Sequence, residues 1–386
     1  EEALNILENQ NYIQRNGDLY EFMTNDEKDV EEDIKDTEID DQAVTQHLKE
    51  IFYDEIIKDN RIRFIDNKQD YEFTSKIDGV AIGRERELEI DIITEFNYNY
   101  NNETLLQAQT MGSSGVKFIL DTDPVFSKDI RLFLKTNKYV KINQSATNRA
   151  EYKRILQDKA QQNAIRGRNL IISANKILAM SKVFMNGSKI ETSFASDGKT
   201  KVINVFQDLV RVVYPNLRML GTVMYTEESI KTTLRTAHTE LFDAGENNMS
   251  EAESEIIILI KRRKAQSDRT TLADLRTYFS KRPYGWYSNA IWTLVARLYK
   301  RGKLELKRDS NVLEDEGVVN SLLNSSYYPA TILELPQEID PRSVKKLKEL
   351  YANAFDETCS HNEAKDVGAA FKGKLKDMVV DVNKLL

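Results

Sequence analysis

The chain has 386 residues, 40% hydrophobic and 30% charged, with a formal net charge of −7. That is too long for one ordinary core and implies about two to four domains with solvated surfaces. No apolar run approaches the roughly 20 residues that span a bilayer, the longest being Ile256 to Ile260; a single cysteine, Cys359, excludes an internal disulfide and fits a reducing cytoplasm.

The chain opens on Leu4, Ile6 and Leu7 in a helical pattern, followed by two short strands that turn at Asn16-Gly17. A helix and a hairpin bury no core alone, so residues 1–55 are expected to hold the end of a preceding winged-helix-like domain of a larger protein. From Glu21 to Glu55 there are fourteen acidic and three basic side chains. Thr24-Asn-Asp-Glu27 is a capping box. Val30, Ile34, Val44, Leu48, Ile51, Phe52 and Ile56 supply apolar faces at helical spacing. Two solvated acidic helices are expected, with repulsion or mimicry of nucleic acid as the other reading.

From Arg61 to Asp123 the pattern becomes strand-like, at Arg61–Ile65, Leu88–Ile93 and Val116–Leu120, with a helix over Phe126–Leu134. The loop Met111–Gly115 leads into a strand, the wrong direction for a phosphate cradle at a helix start. Arg131 to Lys201 is basic, with fifteen Lys or Arg against four Asp or Glu. Its centre is a long helix over Asn148–Asn175 whose apolar stripe is Tyr152, Ile155, Leu156, Ile165 and Ile172. A hairpin turning at Asn186-Gly187 follows, then helices over Val202–Tyr214 and Glu227–Phe242, and a polar linker over Asp243–Asn248.

Ser250 to Arg308 forms a second basic island, with fourteen Lys or Arg against six Asp or Glu. Ser250-Glu-Ala-Glu253 caps a helix facing inward through Ile256, Ile257, Leu259 and Ile260, and Thr271 caps a second with Leu272, Leu275 and Phe279 inside. A third runs from Tyr287 to Tyr299 and stops at Gly302. Its projection places Ile291, Leu294, Val295 and Leu298 on one face and Asn289, Trp292, Thr293, Ala296 and Lys300 on the other. Lys303–Arg308 then alternates as a strand and turns near Ser310-Asn311. Three helices and a charged hairpin read as a winged helix. In that reading Lys281, Arg282, Lys303, Lys307 and Arg308 contact phosphates, while Asn289, Trp292 and Lys300 lie near base edges of double-stranded DNA. The alternative is a protein-interaction module with Trp286, Tyr287 and Trp292 as an exposed aromatic patch.

Catalytic motifs are missing. Gly79-Val-Ala-Ile-Gly83-Arg has neither the spacing nor the lysine of a P-loop. His47, His238 and His361 are too few and too scattered for a Ser-His-Asp site. Cys359 and His361 lack companions for a metal. Asp121 and Asp123 with Lys117 nearby are the one weak hint of a Mg²⁺-dependent nuclease.

Several phrases together carry a family resemblance: Gly17-Asp-Leu-Tyr-Glu-Phe-Met-Thr24 with its acidic helix, Tyr152-Lys-Arg-Ile-Leu followed by Arg166, Arg282-Pro-Tyr-Gly-Trp286, and Leu298-Tyr-Lys-Arg-Gly-Lys-Leu304. The chain resembles the large P-loop ATPases of BREX bacteriophage-exclusion systems, the BrxC or PglY type, over nearly its whole length and only downstream of their ATPase module. The resemblance implies a cytoplasmic component of a multi-protein antiviral system. ATP and Mg²⁺ belong to the ATPase module, with no cofactor in this region. The expected fold is α+β and multidomain. It comprises residues 1–55, a mixed α/β domain over 56–245 with the long basic helix, a winged helix-turn-helix over 246–315, and a C-terminal helical segment over 316–386. The expected function is a DNA-binding or scaffolding segment without catalysis of its own, touching duplex DNA and other defence subunits and no membrane.

Overall fold

In the computed structural model Leu88–Ile93 is a central strand of a mixed sheet, fully buried at Ile90, Ile92 and Ile93. Its isoleucines mark it as a strand, and its two charged residues are paired within the sheet, Glu89 with Lys76 and Asp91 with Lys117. The structure describes Leu4, Leu7 and residues 13–16, 19–145, 149–192, 195–235, 249–336, 341–361 and 364–385. The expected linker Asp243–Asn248, the turn residue Gly17 and the stretch after Arg235 lie outside the described residues. Two compact units divide the chain, Glu1–Pro215 and Asn216–Leu386.

In the first unit, β1 (Ile13–Asn16) and β2 (Leu19–Phe22) pair antiparallel with Asn16 opposite Leu19. Helix α1 (Asn25–Asp36) starts at the expected capping box, Thr24 and Glu27 exchanging hydrogen bonds. Helix α2 (Asp41–Lys49), capped by Asp40, continues as a π-helical stretch, Glu50–Ile57, which ends at Lys58 with φ 69°. Tyr53 in that stretch pins it to the sheet: its hydroxyl donates to Ile90 O at 2.7 Å and accepts the Lys76 N–H at 3.2 Å.

The sheet is built from β3 (Arg61–Arg63), β4 (Asp70–Ile77), β5 (Val80–Ile82), β6 (Leu88–Ile93), β7 (Gly115–Ile119), β8 (Lys182–Met185) and β9 (Ser188–Ile190). Its order is β3-β4-β6-β7-β8-β9, with β5 also paired to β4; β4, β6 and β7 run parallel and the other pairings are antiparallel. Helix α3 (Glu103–Ala108) lies between β6 and β7 in the chain. Helices α4 (Pro124–Asn143), α5 (Ala150–Met180) and α6 (Gly198–Val213) complete the unit. At Gly167 a Cβ would sit 2.8 Å from the Phe133 ring, so α4 and α5 approach as closely as they do because that residue has no side chain.

The acidic helices neutralise part of the basic block. Val30 and Ile34 of α1 share one apolar cluster with Tyr139, Val140, Ile155 and Leu156 of α4 and α5. Around it Glu31 pairs with Lys159 at 2.6 Å and Asp26 with Arg149 at 3.0 Å. Tyr139 donates to Asp33 at 2.7 Å, and Lys138 donates to the Glu38 carbonyl at 2.8 Å. The expected stripe of α5 is half right. Ile155 and Leu156 are buried, but Ile165 and Ile172 are 46% and 55% exposed. The buried face turns instead through Lys159, Asn163, Leu170, Ala174 and Leu178. Both polar residues there have dedicated partners, Lys159 donating to Glu31 and Asn163 to Phe133 O and Asn137 Oδ1, so polarity misdirects the projection.

In the second unit, α7 (Glu227–Arg235) precedes α8 (Glu251–Ala265), β10 (Thr270–Thr271), α9 (Leu272–Phe279) and α10 (Ser288–Lys300). Then come β11 (Glu305–Arg308), β12 (Asn311–Val312), α11 (Asp315–Leu323) and β13 (Ile332–Glu334). The strands form one antiparallel sheet in the order β10-β13-β11-β12. Three helices with this sheet make a winged helix, and its third main strand, β13, lies beyond residue 315, where the charge pattern ends the domain. Helix α11 is thus an insertion within the wing. The two C-terminal helices, α12 (Pro341–Phe355) and α13 (Ala364–Leu385), meet through Phe355 and Phe371, ring centroids 5.1 Å apart. No described helix is long and apolar enough to cross a membrane.

Candidate nucleic-acid interface

The first two helices of the basic island begin as their caps require: Ser250 and Thr271 accept from the third backbone N–H of α8 and α9. Gly302, at φ 64°, ends α10 and donates to Tyr299 O. Between α9 and α10 the aromatic turn is a core plug. Trp286 is 1% exposed, stacks on Phe279 at 4.5 Å and donates its indole N–H to Asn216 O at 3.1 Å. An exposed aromatic patch of Trp286, Tyr287 and Trp292 is therefore not formed: both tryptophans are enclosed, and Tyr287, half-buried, accepts the Tyr225 N–H.

Helix α10 is enclosed on both of its faces. Ile291, Leu294, Val295 and Leu298 are buried as expected, but so are Trp292, Thr293 and Ala296, none more than 1% exposed. Two elements account for this. Helix α7 lies along α10 and buries Ile230 and Leu234. From within the wing, Tyr328 lies 4.7 Å from Trp292, ring to ring. A single-helix projection cannot anticipate either cover, because both come from outside the three-helix core. Trp292 is thus a core residue, which corrects its assignment to base edges. Asn289 is half-buried.

Three of the cations expected at DNA, Lys300 near base edges and Lys307 and Arg308 at phosphates, are engaged within the unit. Lys300 Nζ lies 2.7 Å from Asp315 at the start of α11. Lys307 Nζ is 2.7 Å from Glu334 on β13, which holds the ammonium pKa above its ordinary value. The Arg308 guanidinium sits 4.2 Å over the Tyr327 ring and donates to Ser321 Oγ. Lys281, Arg282 and Lys303 are exposed. The wing turn is Asp309-Ser310, both at positive φ, one residue earlier than the sequence suggests.

Other cations of α8, α9 and the connection between them, which a search for a recognition helix passes over, face solvent: Lys261, Arg262, Lys264, Arg269 and Arg276. Arg262 lies 5.4 Å over the Tyr278 ring, which joins α8 to the end of α9 near Lys281. Between α7 and α10 a cleft of about 650 Å³ is lined by Tyr225, Ser229, Thr232, Thr293, Arg297 and Arg301. Arg297 stacks on Tyr225, and Arg301 is paired with the buried Glu253 at 3.1 Å.

The acidic residues beside the sheet of the first unit serve its turns. Lys117 Nζ is 2.6 Å from Asp91, whose other oxygen accepts the Gly79 N–H. Asp123 caps α4 through the N–H groups of Val125 and Phe126. Lys117 is thus engaged away from Asp121 and Asp123, and among the described residues no three His, Cys, Asp or Glu side chains are grouped to hold a metal ion.

The architecture defines a mixed-sheet unit followed by a winged helix with an inserted wing and a C-terminal helical pair. Residues 37–209 match the BREX ATP-binding protein BrxC 4th domain with six-stranded beta sheet, and residues 216–334 match the BREX ATP-binding protein BrxC winged helix-turn-helix domain. No solved structure matches the chain. The chain belongs to the BREX BrxC type, in the region downstream of that family's ATPase module.

Proposed function

We propose that this region is a scaffolding segment of a BREX phage-defence ATPase, a surface for other defence subunits that does not read DNA through its winged helix. The observation that carries the reading is the enclosure of α10: Trp292, Thr293 and Ala296 are at most 1% exposed. A recognition helix presents such a face to the major groove. The cations of the first basic block add support, since Lys159 and Arg149 are matched by carboxylates of α1. ATP hydrolysis, with its Mg²⁺, is assigned to the ATPase module, and the segment works in the bacterial cytoplasm. Co-purification with the other BREX subunits tests this. The complex is expected to survive nuclease and about 0.5 M salt, conditions that dissolve contacts made through phosphates. A complex lost under those conditions overturns the reading.

One observation favours a second role, sequence-independent contact with duplex phosphates. Lys261, Arg262, Lys264, Arg269 and Lys281 are exposed, and Arg262 lies over the Tyr278 ring. Such contact would weaken steeply with added salt and would be indifferent to sequence.

A further inference from the structure

Helix α5 spans Ala150–Met180, and its buried face is accounted for by α4, α6 and the π-helical stretch. Among the described residues nothing covers the opposite face, which has a definite composition. At 100° per residue, Arg154, Asp158, Gln161, Ile165, Arg168, Ile172 and Lys176 fall within one arc about 80° wide, opposite Leu170 and Ala174. All seven are exposed. From Arg154 to Lys176 the arc is about 33 Å long at the rise of an α-helix.

We infer that this ridge is a docking surface for an acidic amphipathic helix of another protein, an inference that rests on the scaffolding reading above. Ile165 and Ile172 stand seven residues apart, the repeat of a helix–helix seam. They are 46% and 55% exposed, whereas Ile155 on the same helix is 6% exposed. Arg168 and Lys176 flank them, and between Lys159 and Met180 the helix holds no acidic residue, the one carboxylate of the arc, Asp158, lying towards its N-terminal end. A seam of isoleucine edged by cations is complementary to a helix with apolar residues at the same repeat and Asp or Glu beside them. Two other occupants fit less well. Duplex DNA would leave the isoleucines against phosphate and water, and a second copy of the ridge would set cation against cation.

The test uses the whole 386-residue chain and a synthetic probe. The probe is a fluorescent 28-residue peptide with leucine at heptad positions a and d and glutamate at e and g. Its comparator is a peptide of the same composition with the apolar repeat scrambled. Saturable binding of the first peptide is expected, weakened about tenfold or more in Ile165→Ser/Ile172→Ser and in Arg168→Glu/Lys176→Glu. The charge-reversed variant is expected to bind a lysine-flanked version of the peptide in return. Thermal midpoints should stay near that of the parent chain, since all four side chains are exposed.

Equal binding of the scrambled peptide, or binding unmoved by both double variants, overturns the inference. So does a dimer seen by sedimentation that the isoleucine variant abolishes, which would make the occupant a second copy. Loss of binding to a 30-bp duplex in the isoleucine variant would assign the ridge to nucleic acid and overturn it equally. A complex with the other BREX subunits that persists in Ile165→Ser/Ile172→Ser removes the ridge and leaves the scaffolding reading standing. A complex lost to nuclease in the parent chain overturns the scaffolding reading, while specific peptide binding would still stand.

Discussion

Lys159 Nζ lies 2.6 Å from Glu31 Oε2, an ion pair spanning 128 residues of sequence with side chains only 9% and 20% exposed. It joins the acidic helix α1 to the basic helix α5 and sits beside the cluster of Val30, Ile34, Ile155 and Leu156. Two regions of opposite charge, each of which invites an outside partner when read alone, are thus each other's partner. Charge bookkeeping along a sequence counts side chains and carries no information on which of them face one another.

Removing one member of this pair strands the other in a largely dry site. Glu31→Ala is expected to lower stability by on the order of 1–3 kcal/mol, the partial exposure of Glu31 reducing the full penalty of a broken buried pair. Lys159→Met should cost less, because it removes the charge that needs a partner. Urea unfolding of the two variants checks the order, and equal losses would speak against it.

The cover over α10 depends on α7. Ile230 and Leu234 are 0% and 3% exposed, so Leu234→Ala should cost about 2–4 kcal/mol by the removal of buried methyl groups. The loss is expected in the unfolding transition of the second unit. A change below about 0.5 kcal/mol, the range of surface substitutions, would mean that α7 is not seated on α10.

Trp292 separates the structural reading from the DNA-reading one most sharply among single substitutions. Packed 1% exposed against Tyr328, it should behave as a core residue, with Trp292→Ala costing about 3–5 kcal/mol. An exposed base-contacting tryptophan would leave stability nearly unchanged and reduce duplex affinity. Denaturant titration beside duplex binding reads both.

Asp78 sets a pH dependence in the first unit. Burial is the leading cause that raises its carboxyl pKa to about 6, against hydrogen bonds from the Thr94 N–H and hydroxyl that favour the ionised form, with Asp91 adding repulsion. A folded-state pKa above the unfolded value means that the native state holds the proton more tightly. The stabilisation is then complete below about pH 4 and is lost as pH rises through about 6. Asp78→Asn keeps an acceptor for Thr94 and tolerates the positive φ of 54° at this turn. It should flatten the stability difference between pH 4 and pH 7 and match or exceed the parent chain at pH 8. Parallel pH slopes for parent and variant would contradict the assignment.

Much of the fold was legible because its signals are local. The capping boxes at Thr24, Ser250 and Thr271, the turn at Asn186-Gly187 and the αL stop at Gly302 all stand where turn and cap chemistry require. Strand β4 was not foreseen, because Asp70, Glu72 and Lys76 break its apolar content and only Phe73 and Ile77 are deeply buried hydrophobics. The candidate site was legible in its helices and opaque in its surface. Whether Trp292, Lys300, Lys307 and Arg308 face outward is decided by α7, α11, Tyr328 and Glu334, all outside the three-helix pattern. The insertion of α11 before β13 has no counterpart in the winged-helix motif that prompted the assignment, which is why the expected domain stops at residue 315, short of β13.

Thiol accessibility on α10 tests the central claim most directly. In a Cys359→Ser background, Thr293→Cys places a near-isosteric thiol on the face that a DNA reader would expose, and Lys303→Cys supplies an exposed reference. Alkylation at Thr293→Cys is expected to be at least about 100-fold slower than at Lys303→Cys, limited by opening of the unit. Rates within about threefold of each other would mean that α10 stands open to solvent and is free to enter a groove.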